Sequence, residues 1–284
     1  MNEEQKRRSP IRRIVAALDA STSSVSALHT AVDLAARFNA ELLGLFVEDI
    51  NLLRLAQLPF AREISFYSPR PRRLEPTGME LQLRIQAARI RNTLALAAEE
   101  LGIPWEFRIA RGDVGVEVLA AGADADLVVL GKIGRSLPGI QRSGSTVRTL
   151  LMQRRGMTLV METRVQFART PVVAVYDGTE SARKAVYTAA YLAMSHDAPL
   201  IVFVVAENAE KAEAHQRNAA EQLQKLGAKA GFRKLVKTQL SELASRIRSE
   251  THGAVIIPGL EDWFEGEKLC GLVDEIANPV LLIR

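Results

Sequence analysis

One stretch of the chain combines a buried strand, a glycine-framed loop and the start of a helix. It reads Asp126-Leu-Val-Val-Leu-Gly-Lys-Ile-Gly-Arg-Ser-Leu-Pro-Gly-Ile-Gln-Arg-Ser-Gly-Ser-Thr146. The apolar run 126–130 is typical of a strand buried on both faces, and residues 146–153 have helical spacing. A strand that continues through a loop into a helix indicates an α/β protein. Such proteins bind ligands at the carboxyl ends of their parallel strands.

The composition of this loop predicts an anion site. Glycines at 131, 134 and 144 let backbone N–H groups approach an anion without a Cβ clash. Ser145 and Thr146 open the helix, where free amides and the helix dipole favour negative charge. Four cations surround the loop, and no acidic residue lies between positions 131 and 151: Lys132, Arg135, Arg142 and Arg148. The alternative is a glycine-rich loop that is merely solvated, and the residue types alone leave it open.

Strands and helices alternate through the first half of the chain. Apolar runs predict strands, 3.6-residue spacing predicts helices, and the first strand ends in the turn Asp19-Ala-Ser. The predicted strands are 13–18, 42–47, 105–110, 126–130 and 158–162, and the predicted helices are 23–38, 77–101, 114–121 and 146–153.

The same order then restarts. Pro171–Tyr176 leads into Asp177-Gly-Thr, which matches the turn at Asp19. Further strands are predicted at 200–205, 232–236, 254–257 and 279–283, and helices at 180–196, 207–226 and 240–250. We therefore predict an α/β fold with two tandem five-stranded parallel-sheet domains. The expected divisions are a disordered tail over 1–10, a first domain over 11–166 and a second over 167–284.

The first copy is longer because of an insertion at 49–78. Its start, residues 50–58, is apolar enough for a short buried helix, and prolines at 59, 69, 71 and 76 interrupt the rest. Three interpretations remain open: a flap over its own domain, a contact with the partner domain or a second chain, and a membrane-surface contact.

Composition excludes several classes of protein. The chain has 284 residues, a net charge of +4 and one cysteine, Cys270. It lacks an apolar run long enough for a membrane helix, an apolar segment behind the basic N-terminus, and the cysteines of a disulfide framework. The net charge is +5 over residues 1–168 and −1 over 169–284, far below the dense basic surface of nucleic-acid binders. We expect a cytoplasmic protein with neither a nucleic-acid nor a membrane partner.

Signatures of catalysis are also missing. The four histidines have no metal-binding spacing, and neither a Gly-x-Ser-x-Gly elbow nor a Walker A motif is present. Without a dedicated base, nucleophile or metal ligand set, we expect no enzyme, or at most slow ATP hydrolysis.

Gly131-x-x-Gly134, nine residues, then Gly144-Ser145 resembles the nucleotide-binding signature of the universal stress protein family, Gly-x-x-Gly-x₉-Gly-(Ser/Thr). Asp19 and the order of elements in both halves are similar as well, so the resemblance covers nearly the whole chain. It implies a tandem protein of adenine nucleotide α-hydrolase-like, Rossmann-like fold, expected in a bacterial stress response.

The resemblance also implies a ligand and its contacts. The ligand would be ATP or another adenine nucleotide, with or without Mg²⁺. Asp19 and Val47 would hold the adenosine, and the signature glycines and serine would hold the ribose and phosphates. The full set of expected nucleotide-binding residues is Asp19, Val47, Gly131, Lys132, Gly134, Arg135, Gly144, Ser145 and Thr146. From the residues alone, Asp19 is equally a turn-forming residue and Val47 equally strand core.

The second copy departs from this pattern. Gly259 is followed by Asp262, not glycine, three positions on, and no Gly-Ser or Gly-Thr pair follows. Carboxylates stand where the first copy has cations: Glu261, Asp262, Glu265 and Glu267. Because like charges repel a phosphate, we predict one nucleotide site per chain, in the first domain.

The leading hypothesis is a universal stress protein that binds an adenine nucleotide as a stress sensor. The family resemblance implies that the two domains pair through their last strands, 158–162 and 280–283, and a homodimer is a further expectation. The alternative function is a protein-interaction adaptor that uses the 49–78 insertion. A third interpretation is an enzyme of a related fold, which would need a second substrate pocket.

Overall fold

The computed structural model describes residues 11–65, 68–132, 143–163, 170–250, 253–259 and 266–284, with side chains except at 63–65 and 68–72. The predicted tail and the predicted boundary between residues 166 and 167 lie outside the described residues. We call residues 11–163 the first half and residues 170–284 the second half.

The first half contains the predicted alternation. Its strands are β1 (Arg13–Leu18), β2 (Glu41–Asp49), β3 (Arg62–Ser65), β4 (Ser68–Arg73), β5 (Trp105–Gly112), β6 (Leu127–Gly131) and β7 (Met157–Met161). Its helices are α1 (Thr22–Phe38), α2 (Ile50–Ala56), α3 (Pro76–Glu100), α4 (Val114–Gly122) and α5 (Ser145–Gln153).

The second half repeats this order without the insertion. Its strands are β8 (Val172–Tyr176), β9 (Leu200–Ala206), β10 (Gly231–Val236), β11 (Val255–Pro258) and β12 (Val280–Ile283). Its helices are α6 (Glu180–Ser195), α7 (Ala209–Lys225), α8 (Leu240–Glu250) and α9 (Glu267–Glu275).

Five strands from each half form one continuous sheet. The order is β10-β9-β8-β11-β12-β7-β6-β1-β2-β5, and each half is parallel throughout. The strands are apolar on both faces because helices cover both faces of the sheet. Helices α1, α3, α6 and α7 pack on one face, and α4, α5, α8 and α9 pack on the other. This confirms the predicted fold of two tandem five-stranded parallel units.

The two halves meet where β7 pairs with β12 in the antiparallel direction. Val280 lies opposite Val160, and Ile283 lies opposite Met157. Both strands are apolar and buried, so each would be an exposed apolar edge if the halves were apart. The predicted pairing of the last strands is confirmed.

The insertion begins with the predicted short helix. On α2, Leu53 packs against Phe46 and Leu83 of its own half, as the flap interpretation predicts. The proline-containing part forms the antiparallel hairpin of β3 and β4, which the sequence pattern did not predict. None of the described helices combines the length and the hydropathy that crossing a bilayer requires.

A buried hydroxyl at the junction generates a stability prediction. Thr158 is fully buried on β7 opposite Leu282, and its Oγ1 has no hydrogen-bond partner among the described residues. Because an unpaired buried hydroxyl costs free energy, Thr158→Val should raise the free energy of unfolding by about 1 kcal/mol.

The control is Thr158→Ser, which keeps the hydroxyl and removes the methyl group. It should lower the free energy of unfolding by about 1 kcal/mol. Chemical denaturation of both variants measures the two effects, and a Val variant less stable than the parent would contradict the analysis.

Candidate functional site

A cavity of about 420 Å³ opens at the carboxyl ends of β1, β2 and β6. Leu83 of α3 and the first residues of α2, α4 and α5 also line the cavity. Its volume lies within the ~300–1,000 Å³ of small-molecule sites. Of the residues expected to bind nucleotide, the cavity brings together Asp19, Val47, Gly131, Gly144, Ser145 and Thr146.

Asp19 ends β1 and shapes the turn into α1. Its Oδ1 accepts a hydrogen bond from the Ser21 amide at 3.0 Å, and its own backbone amide donates to Ser24 Oγ at 3.0 Å. Ala20 between them has a φ of 62°, and the Ser21 side chain caps α1. The carboxylate therefore has a turn-forming role and also lines the cavity, so the two interpretations of Asp19 are compatible.

Val47 lies near the end of β2. It is partly buried against the apolar cluster beneath α4 and α5, and it also lines the cavity. The residue thus offers an apolar wall to a ligand while it belongs to the packing of the sheet.

Gly131 allows β6 to approach α1 closely. A Cβ built on Gly131 would lie 2.5 Å from Ser23 Oγ and 2.9 Å from the Ser23 carbonyl carbon. These separations are shorter than real Cβ contacts, so no larger residue fits without movement of the α1 backbone. The glycine therefore has a packing reason in addition to any contact with a ligand.

Gly144, Ser145 and Thr146 form the start of α5. Gly144 is the N-cap, and its own amide donates to the Lys132 carbonyl at 3.2 Å. The first amides of a helix lack intrahelical acceptors, so this end of the cavity can bind an anion. Gly134, Arg135 and Arg142 lie outside the described residues.

The two described loop cations do not line the cavity, in contrast to the expectation from sequence. Lys132 is only 5% exposed, and its Nζ donates to the Ile276 and Asp274 carbonyls of the second half at 2.9 and 3.3 Å. Burial lowers the pKa of this ammonium, and the Glu162 and Asp274 carboxylates act in the opposite direction. Lys132 points toward the second half because the last carbonyls of α9 lack partners within the helix and therefore attract a cation.

Arg148 likewise contacts the second half. Its Nη1 donates to Glu267 at 2.7 Å and its Nη2 to Asp274 at 3.2 Å. Glu267 was interpreted from sequence as one of four carboxylates that repel phosphate in the second copy. In the structure it is an ion-pair partner of the first half.

Sequence reasoning missed two further carboxylates on the cavity wall. Asp49 caps α2 through the Asn51 amide, and Asp113 caps α4 through the Val116 amide. Like Asp19, each lies at the carboxyl end of a strand, Asp49 as its last residue and Asp113 directly after it, and this shared position is the signal that would have found them. Among the described wall residues there are three carboxylates and no lysine or arginine.

In the matching region of the second half, two side chains lie against the glycines that follow β8 and β11. Asp177 holds the same kind of turn, with Oδ1 accepting from the Thr179 amide at 3.0 Å and from its hydroxyl at 2.6 Å. A Cβ on Gly178 would lie 2.7 Å from His215 Nε2. A Cβ on Gly259 would overlap the Arg284 side chain, since its distance to Cγ would be 2.2 Å.

The fold and cavity define a two-unit α/β protein with a cavity at the carboxyl ends of the parallel strands of its first half. A sequence profile described as the universal stress protein family matches residues 10–160, more than half of the chain. The chain belongs to the universal stress protein family.

Solved structures share its architecture along almost the whole length. A universal stress protein from Archaeoglobus fulgidus DSM 4304 is 18% identical, with a TM-score of 0.70 and 96% of each chain covered. A protein of unknown function from Pseudomonas aeruginosa PAO1 is 15% identical, with a TM-score of 0.61 and coverage of 96% of this chain and 92% of that one. No curated protein sequence matches the chain.

The close approach at Gly131 generates the second prediction. Gly131→Ala should lower the melting temperature of the ligand-free protein by several degrees, because the new Cβ meets the Ser23 backbone. Differential scanning calorimetry measures the change.

Gly271 on α9 is the matched control, because a Cβ there has no atom within 4 Å. Gly271→Ala should keep or raise the melting temperature, since alanine is preferred over glycine in a helix. Equal effects of the two substitutions would contradict the packing argument.

Proposed function

We propose that the first-half cavity binds an adenine nucleotide and that the protein acts as a nucleotide-dependent sensor in a stress response. The observation that carries this proposal is the convergence of six expected contact residues, spread from position 19 to position 146, on one cavity of about 420 Å³.

The adenosine end of the ligand would lie between β1 and β2. Val47 offers an apolar surface to the base, and Asp19 offers a carboxylate to a base amino group or a ribose hydroxyl. Asp49 and Asp113 add acceptors on the same wall, which suits a ligand part that is rich in hydrogen-bond donors and uncharged. This distribution supports a nucleoside at that end.

The phosphates would lie at the start of α5. Ser145 and Thr146 present backbone amides and hydroxyls there, and Gly144 leaves space for a close approach. Lys132 and Arg148 are held by the second half, so the described phosphate contacts are amides and hydroxyls rather than side-chain cations. A Mg²⁺ ion would arrive with the phosphates, which supply the oxygen ligands that it prefers.

The role proposed is binding with at most slow hydrolysis. The carboxylates of Asp49 and Asp113 accept hydrogen bonds from helix amides, so one oxygen of each is already engaged in capping a helix. The output would then be a nucleotide-dependent state of the protein.

The start of the insertion supports the same function over an independent adaptor. Asn51 and Leu52 of α2 line the cavity, and Leu53 anchors the helix in the core of the first half. The insertion is therefore proposed to be one wall of the nucleotide site.

The test compares the two matching aspartates. The intact protein should bind ATP with a dissociation constant in the micromolar range, about −8 kcal/mol. Asp19→Ala should weaken binding at least about tenfold, because it removes a charged acceptor from the ligand. Isothermal titration calorimetry measures both constants.

Asp177→Ala is the control, because it removes the same kind of turn hydrogen bond from the second half. It should lower stability about as much as Asp19→Ala and leave the ATP affinity within about twofold. Absence of binding to the intact protein at millimolar ATP, or equal losses in the two variants, would refute the proposed site.

A further inference from the structure

Three side chains of the first half that lie next to the cavity contact the end of a single helix of the second half. Lys132 follows β6, Ser143 precedes the N-cap of α5, and Arg148 lies on the first turns of α5. All three donate hydrogen bonds to the last turns of α9 or to the residue that follows it.

Asp274 is the centre of these contacts. Its Oδ1 accepts hydrogen bonds from the Ser143 amide at 2.7 Å and from the Ser143 hydroxyl. Its Oδ2 accepts from Arg148 at 3.2 Å, and its carbonyl accepts from Lys132 at 3.3 Å. Every donor comes from the first half, so none of these bonds serves α9 alone.

The Asp274 carboxylate is largely shielded from solvent. Its side chain is 15% exposed and Ser143 is 6% exposed. Charge-assisted hydrogen bonds of a sheltered carboxylate are stronger than neutral ones in water. The contact with Asp274 can therefore fix the position of Ser143. The ion pair between Arg148 and the exposed Glu267 contributes little stability.

Fixing Ser143 fixes the start of α5. Gly144 follows directly, caps the helix, and donates its amide to the Lys132 carbonyl at 3.2 Å. Lys132 and Gly144, near the two ends of the loop between β6 and α5, are thus hydrogen-bonded to each other. Lys132 is held by the Asp274 and Ile276 carbonyls, and Ser143 is held by the Asp274 carboxylate.

We infer that Asp274 of the second half is a positioning residue for the phosphate end of the first-half site. It would act through Ser143 on the amides that open α5, without touching the ligand. This inference rests on the proposed function, and it gives the second half a role in binding at the first-half site.

The inference separates the two ends of the ligand. Asp19 follows β1 and Val47 lies on β2, whereas Asp274 contacts Ser143, which directly precedes α5. Loss of the Asp274 carboxylate should therefore weaken the binding of ATP and leave the binding of adenosine nearly unchanged. A residue that merely stabilised the fold would weaken both ligands in proportion.

The experiment uses full-length protein in which Arg148→Met has first been introduced. This step is needed because removal of Asp274 alone would free Arg148 to approach a phosphate and mask the effect. Arg148→Met alone should leave the ATP affinity within about threefold. Addition of Asp274→Ala should then weaken ATP by about 10- to 100-fold and adenosine by less than about threefold. Competition titration measures both ligands.

Two further variants keep the result interpretable. Glu250→Ala removes an ion pair with Arg233 elsewhere in the second half and should leave both affinities unchanged. Ser143→Ala removes one hydroxyl and keeps the amide, so it should fold even if the Asp274 variant does not. It should weaken ATP severalfold without affecting adenosine.

The outcomes distinguish this inference from the function on which it rests. Selective loss of ATP affinity in the Asp274 and Ser143 variants supports the positioning role. Unchanged ATP affinity, stronger ATP binding, or equal loss of ATP and adenosine overturns it while the nucleotide site stands. Failure of the parent protein to bind ATP overturns both.

Discussion

Strands β7 and β12 exchange backbone hydrogen bonds in the antiparallel direction, and this pairing joins two parallel sheets into one. Because the two strands run antiparallel, the halves are related by a local two-fold axis. A parallel pair would instead need a crossover connection between its strands. Each half therefore presents the same end of its sheet toward the last helix of the other. Arg284 donates to the Met152 carbonyl at the end of α5, as Lys132 does to the carbonyls at the end of α9.

Within this near-symmetric frame, the two halves differ in what fills the carboxyl ends of their strands. In the first half, Gly131 lies against Ser23 and leaves a cavity in front of Asp19. In the second half, His215 lies against the turn at Gly178, and Arg284 lies against Gly259. Among the described residues, the first copy thus has a cavity at this position and the second has the His215 and Arg284 side chains against its glycines, which supports the proposal of one nucleotide site per chain.

The sequence predicted the elements well because their signals are local. Apolar runs and helical spacing located the boundaries of the ten sheet strands to within two residues, and repetition of the Asp19 turn at Asp177 revealed the second unit. The hairpin of β3 and β4 was missed because Pro69 and Pro71 argue against a strand in any position except an edge. The partners of Lys132 were missed because they are more than 140 positions away, and charge near a loop does not reveal which way a side chain points.

Most of the candidate site followed from the glycine spacing and from Asp19, whereas Asp49 and Asp113 did not. Both residues stand between a strand and a helix, which is an ordinary position for a helix cap, and both do cap their helices. Only the fold brings the end of β2 beside β1 and the end of β5 beside β2, which places both capping residues on the cavity wall. The combination of three carboxylates and the first amides of α5 on one described wall is therefore a property of the tertiary structure.

The central claim is that one half of a duplicated chain has kept a nucleotide site and the other has not. Native mass spectrometry with saturating ATP tests it most directly, because it counts bound ligands per chain. The account predicts one nucleotide per chain, whose occupancy at micromolar ATP falls on Asp19→Ala and is retained on Asp177→Ala. Two nucleotides per chain, or one that is lost only on Asp177→Ala, would contradict it.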